Sequence, residues 1–275
     1  SGGNATLVNG PYIGRIQFTD NANPGNATIV NNNFGIVDFS GSSFNGGKLT
    51  AGSIAGSGDF YLGANQVTVG GNNLSTTVSG VISDCGVTFC AGLIYGWPVT
   101  GGSLVKEGTG TMTLTGANTY TGSTVVNGGT LTVSGLGSIS SGPLYLGSSG
   151  TGTFNLLNGG TASVSTFNIG NGGFTGTLNI DGVGSSLTGT MGPGYVNYIG
   201  FAGAAMVNVT NGGTLVSTSD LYMGNTSGTT ANLNVNSGGT VTTNRLFVGS
   251  AAGSQATVTV SGTGSSLTTF DTMAV

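Results

Sequence analysis

Leu144-Tyr145-Leu146-Gly147 opens a series that recurs as Phe167-Asn168-Ile169-Gly170, Asn197-Tyr198-Ile199-Gly200, Leu221-Tyr222-Met223-Gly224 and Leu246-Phe247-Val248-Gly249. The closing glycines lie 23, 30, 24 and 25 residues apart. After each glycine a second alternating strand peaks, at Phe154, Leu178, Val207, Leu233 and Val258. Turns such as Asn158-Gly159-Gly160-Thr161 and Asn211-Gly212-Gly213-Thr214 lead most of these into a third short strand, for example Thr214-Leu215-Val216. A serine form of the turn, Gly184-Ser185-Ser186-Leu187, returns as Gly264-Ser265-Ser266-Leu267. Three alternating strands per period of about 25 residues predict an all-β fold, a right-handed parallel β-helix with about three strands per coil and roughly 11 coils. One coil cannot bury its own apolar face, and stacking joins those faces into one interior. A helical reading fails because apolar residues alternate instead of recurring at three and four, with glycine interrupting every long stretch. A sandwich would lack the three-strand period, and a propeller would want longer blades.

The composition fits such a stack. Glycine supplies 56 of 275 residues, and only 4% of the chain is charged, against roughly 25% in ordinary domains. Equivalent positions on successive coils lie about 4.8 Å apart, so a charge kept at one position would face its own sign above and below. Thr, Asn, Ser and Val stack without that repulsion, while glycine and asparagine supply the positive-φ corners. The same composition excludes functions. There is no histidine, which removes Ser-His-Asp and Cys-His catalysis and imidazole metal ligands. Arg15, Lys48, Lys106 and Arg245 are scattered singly in a chain of net charge −4, so no patch for nucleic acid or anionic lipid is expected. No run of about 18 apolar residues is present, so no membrane-inserted helix is expected, and nothing calls for a cofactor.

From Phe60 to Gly135 the chain resembles the passenger domains of bacterial autotransporters, the type V secreted surface proteins. The resemblance is carried by Gly101-Gly102-Ser103-Leu104-Val105-Lys106-Glu107-Gly108-Thr109-Gly110-Thr111-Met112-Thr113-Leu114-Thr115-Gly116-Ala117-Asn118-Thr119-Tyr120-Thr121-Gly122, continued through Thr124-Val125-Val126-Asn127-Gly128-Gly129-Thr130-Leu131. This stretch is similar to the family's passenger-associated strand repeat, assigned here to residues 101–135. Upstream, Leu62-Gly63-Ala64-Asn65-Gln66-Val67-Thr68-Val69 and Ser79-Gly80-Val81-Ile82-Ser83 are similar to the segment that precedes that repeat, and residues 144–275 resemble looser glycine-rich passenger repeats. The resemblance implies a single β-helix fragment over residues 1–275, exported to a bacterial surface or secreted and tethered by a C-terminal barrel outside this chain. It also makes an oxidising compartment the expected one.

Between Asp84 and Gly101 the repeat breaks, and residues 84–100 read as an inserted loop with a cysteine pair. Cys85 and Cys90 enclose four residues, a spacing that permits a disulfide; a loop so short would contribute about 2 kcal/mol on the entropic model. Phe89, Tyr95 and Trp97 are the candidate partner contacts, since exposed aromatic side chains anchor interfaces; the alternative is that the loop folds back over a coil flank. Asp20, Asp38, Asp59 and Asp84 are spaced so that pairs could stack on neighbouring coils, as glycoside hydrolysis would require, or stand as solvated turn residues. Gly56-Ser57-Gly58-Asp59 occurs once and lacks a calcium-repeat spacing, so it reads as a turn. Asn-x-Ser/Thr triplets occur at Asn4, Asn26, Asn73, Asn208 and Asn225; composition produces most such triplets in this chain, and surface glycosylation is open at any of them.

The expected function is therefore not enzymatic: a surface rod acting in adhesion, self-association or biofilm, through coil faces or coil ends. The last residues, Phe270 to Val275, read as a further strand stopped before its glycine, so the array is expected to continue or its ends to stack. The alternatives are a secreted effector or a ligand of a host or neighbouring-cell protein or glycan, using the loop at 84–100, and a polysaccharide-active β-helix enzyme.

Overall fold

The computed structural model describes residues 3–10, 12, 14–85 and 99–275. Among them there is no α-helix, and every named strand pairing is parallel. Strands follow one another around three faces, and each returns to its own face one coil later. The first face runs from Thr6–Asn9 to Gln255–Ser261, the second from Arg15–Asp20 to Ser266–Thr269, and the third from Lys48–Ala51 to Met273–Ala274. The third face is one ten-stranded sheet. The first is a three-stranded sheet joined to an eight-stranded one through an isolated parallel bridge between Gly56 and Val78. The second is split into four and seven strands. Its gap is closed where the Thr119 amide donates to the Ile82 carbonyl at 2.9 Å and Asn118 Oδ1 accepts from the Ile82 amide at 2.9 Å. The result is a β-solenoid of about 11 turns, on the order of 50 Å long at one rung spacing per turn.

Alternation along each strand decides what lies inside. On the first face Met112, Leu131, Phe154, Leu178, Val207, Leu233 and Val258 stand in one column of paired residues, and all from Met112 to Leu233 are buried. Leu114, Val133, Leu156, Ile180, Val209 and Val235 form the next buried column. The residue between them points outward and is polar. There Asn155, Asn179, Asn208 and Asn234 form an amide ladder, in which Nδ2 of Asn179, Asn208 and Asn234 each donates to the Oδ1 one coil earlier at 2.8–2.9 Å. Each inner amide thus uses a donor and an acceptor on its own copies, so a polar row stacks at rung spacing with its hydrogen bonds satisfied.

The repeating glycines sit at one corner. Gly147, Gly170, Gly200, Gly224 and Gly249 all have φ between 65° and 79°, a left-handed conformation that carries little strain only without a Cβ. At the corner between the first two faces Asn158 and Asn211 take φ of 54° and 53°, which asparagine tolerates through its short polar side chain.

Lys106 departs from the apolar interior. It pairs with Val69 and Val126 on the neighbouring coils and is 1% exposed. Its Nζ donates to the carbonyls of Glu107 at 2.6 Å, Gly128 at 3.2 Å and Gly108 at 3.4 Å. A lone cation is thereby held against backbone dipoles of two coils, as burial of a charge demands.

Candidate functional site

The segment expected to carry contacts begins at Asp84, whose side chain holds its base. Asp84 Oδ1 accepts from the Gly102 amide at 3.0 Å and the Thr121 amide at 3.1 Å, and Oδ2 accepts from the Thr121 hydroxyl at 2.6 Å. The carboxylate thus closes residues 84 and 102 onto each other and onto the next coil. Cys85 is disulfide-bonded. Cys90, Phe89, Tyr95 and Trp97 lie outside the described residues.

Asp38, Asp59 and Asp84 are hydrogen-bonded within the fold, whereas Asp20 is exposed. Asp38 is fully buried; it pairs with Arg15 of the preceding coil and accepts from the Ser40 amide at 2.9 Å and hydroxyl at 2.6 Å. Asp59, one coil on, stands opposite Ile36 while Asp38 stands opposite Tyr61; burial first, and then the charges of Asp59 and Asp38, raise the pKa of Tyr61. Asp59 Oδ1 accepts from the Val81 amide at 3.1 Å. Asp20 stands at the end of a strand with φ 52°. Asp38 and Asp59 are thus offset along adjacent strands, and Asp38 and Asp84 are each committed to the fold, which overturns the solvated-turn reading for those two. Asp59 of the Gly56-Ser57-Gly58-Asp59 turn begins a strand, and no group of three potential metal ligands exists among the described residues.

Two outward features were not singled out from the sequence. The first is an aromatic column on the third face, where Tyr198, Tyr222 and Phe247 pair rung to rung. The Tyr222 and Phe247 rings stack at 4.4 Å, Tyr198 and Tyr222 are 6.0 Å apart, Phe201 meets Tyr198 edge-on at 4.8 Å, and the Arg245 guanidinium lies 5.5 Å from the Phe247 centroid. Arg245 also pairs with Asp220 one coil back, where Nε donates to Oδ1 at 2.9 Å. The ring faces are turned mainly toward each other, so this column clamps three coils together more than it offers a platform. Its signal was present in the second position of the last three quoted tetrapeptides, at Tyr198, Tyr222 and Phe247, which alternation turns outward.

The second feature is a ridge. Among the described residues, apart from terminal Val275, the large apolar side chains at least 80% exposed are Tyr12 (84%), Phe34 (80%), Leu136 (97%) and Val183 (84%). All four project from the same corner, between strands of the first and second faces. Small residues such as Ser57, Gly116 and Gly159 occupy that corner on intervening coils. Asp181, the carboxylate beside Val183, accepts from Thr210 at 2.5 Å and Asn211 at 2.6 Å. The ridge is therefore apolar, projecting and without a free charge beside Val183.

Comparison with protein families gives a match at residues 104–133 to the passenger-associated-transport-repeat. Residues 104–133 are thus similar to that repeat. The segment lies inside the stretch 101–135 and takes in five strands, at Ser103–Lys106, Thr111–Leu114, Ala117–Asn118, Thr124–Val126 and Thr130–Ser134, that together belong to all three faces. Within the repeat Lys106 makes its carbonyl contacts, and fully buried Tyr120 shares a 2.6 Å hydrogen bond with the Thr124 hydroxyl. The repeat and the stacked coils together support an autotransporter passenger domain with a β repeat, and they fit a surface or secreted β-helix. Searches of curated proteins and of solved structures returned no match.

Proposed function

We propose that this chain is a non-catalytic rod that works by adhesion through lateral self-association, the exposed ridge of one copy packing against another. The observation that carries this reading is the alignment of Tyr12, Phe34, Leu136 and Val183 along one corner. From the first of these coils to the last is about 30 Å at one rung spacing per coil, a spaced row of apolar knobs on a surface with little charge to keep copies apart. On this reading the rod is displayed at the outer membrane, and contacts between rods on neighbouring cells give clumping or biofilm. Sedimentation velocity of the wild-type chain across a concentration series, beside a variant with Tyr12, Phe34, Leu136 and Val183 all replaced by Ser, tests it. Wild-type association that persists at high salt and is lost in the variant is the expected result. Only monomers at high concentration, or equal association by the variant, would refute it.

A further inference from the structure

Three of the five Asn-x-Ser/Thr triplets converge on one hollow. Asn4, Asn26 and Asn73 are all exposed and line a concavity of about 460 Å³ with Thr28, Gly71, Asn72 and Leu74. The strand pairing explains the convergence. Thr6, the hydroxyl residue of the first triplet, pairs with Thr28 of the second, so Asn4 and Asn26 stand one above the other; Asn26 Nδ2 donates to Asn4 Oδ1 at 2.7 Å. Thr28 in turn pairs with Ser53, which puts Ala51 and Gly52 where the two earlier coils have Asn and Ala. That missing side chain, together with Gly71, opens the hollow. Asn73 returns an amide to its far wall, with Oδ1 accepting from the Thr109 amide at 2.8 Å and Nδ2 left without a partner in the fold, as is Nδ2 of Asn4.

The other two triplets are differently placed. Asn208 is spent in the amide ladder, donating to Asn179 at 2.8 Å and accepting from Asn234 at 2.9 Å. Asn225 is half-buried in a turn several coils away. A triplet is a usable acceptor only where its amide nitrogen reaches solvent with room beside it, and that condition divides these five.

We propose that Asn4, Asn26 and Asn73 are sites of N-linked sugar attachment, and that the hollow between them seats the sugars. In the reaction the amide Nδ2 attacks the anomeric carbon of a phosphate-activated sugar supplied to a glycosyltransferase of the producing cell. A carbon–nitrogen bond forms, the bond to the phosphate leaving group breaks, and the amide proton leaves with no net oxidation. The modified Asn26 keeps one N–H to donate to Asn4, so the folded corner accepts the change. Half-exposed Leu74 offers an apolar wall to a sugar ring, above a polar floor in which Asn72 Nδ2 donates to Thr28 Oγ1 and Ser53 Oγ at 3.0 Å each. This corner joins the third face to the first, whereas the apolar ridge joins the first to the second, so sugars here would leave the ridge bare.

The test is the intact mass and peptide map of the chain isolated from cells that export it, beside Asn26→Gln. Sugar masses on at least one of Asn4, Asn26 and Asn73, with none on Asn208 and with the Asn26 increment absent from the variant, are expected. A chain at its unmodified mass, or sugars confined to Asn208, Asn225 or to hydroxyl side chains, would overturn the assignment.

Discussion

Lys106 gives the fold a pH dependence that can be worked out in advance. Burial, partly offset by the charge of Glu107, lowers its pKa from 10.5 to about 8. In the unfolded chain the ammonium keeps its ordinary pKa, so between pH 8 and 10 the unfolded state binds the extra proton and stability rises with pH. Integrating over that interval gives a gain of about 2 kcal/mol, the depressed pKa being a penalty on folding that deprotonation removes. Above pH 10 the direction reverses, because burial raises the pKa values of Tyr61, Tyr120 and Tyr198 and the folded state then holds the protons. There is no histidine to obscure the interval. Urea unfolding of the wild-type chain and of Lys106→Met, followed by circular dichroism at pH 8, 9 and 10, reads the effect as the difference between the two slopes, whatever the absolute stability of the variant. The wild type is expected to gain about 2 kcal/mol over the variant across the interval. Parallel slopes would show that Lys106 titrates normally in the folded state, and the account of a carbonyl-held, desolvated ammonium would be wrong.

Three further substitutions probe the stack. Phe154→Ala removes a side chain 1% exposed between Leu131 and Leu178 and is expected to lower stability by about 3–5 kcal/mol in denaturant unfolding. Asn208→Ala breaks the amide ladder on both sides; a loss of about 1–2 kcal/mol is expected in the same measurement, and no loss would mean that solvent replaces the ladder freely. Asp220 is held below the usual carboxylate range, first by its hydrogen bond from Arg245, so its contribution is present at neutral pH and fades as pH falls through its folded value. Asp220→Asn should therefore melt at a temperature that varies less with pH on the acid side than the wild type does.

Much of the architecture was legible because the solenoid repeats its own environment. The tetrapeptides from Leu144 to Gly249 state both the period and the corner, and all five of their glycines are left-handed. Alternation then separates Phe154 and Leu178 from the outward Asn155 and Asn179. Even the aromatic column was written there, at Tyr198, Tyr222 and Phe247, but which side chains stack across coils depends on a register that unequal turn lengths conceal. The spacing of 30 residues between Gly170 and Gly200 is absorbed in the turn at residues 190–195, so the rungs stay aligned. The corner ridge was not legible for the same reason: Tyr12, Phe34, Leu136 and Val183 fall at no fixed interval, and only the coil path puts them on one line. The convergence of three triplets on one hollow likewise depends on Thr6, Thr28 and Ser53 being rung partners.

The few charges show how far the stacking argument reaches. Repulsion between like charges at rung spacing explains why charge is rare, but the same short distance favours opposite charges on successive coils. Arg15 pairs with Asp38 one coil later, and Arg245 with Asp220 one coil earlier. In each pair the carboxylate is buried while the guanidinium stays partly exposed, so the pair links two coils without removing both ions from water. Lys106 cannot use this device, because its position points inward between Val69 and Val126; it takes backbone carbonyls instead. For the buried charges the limit is thus set by position: Asp38 and Asp220 take the opposite sign from a neighbouring coil, Asp84 takes amide and hydroxyl donors, and inward Lys106 takes backbone carbonyls.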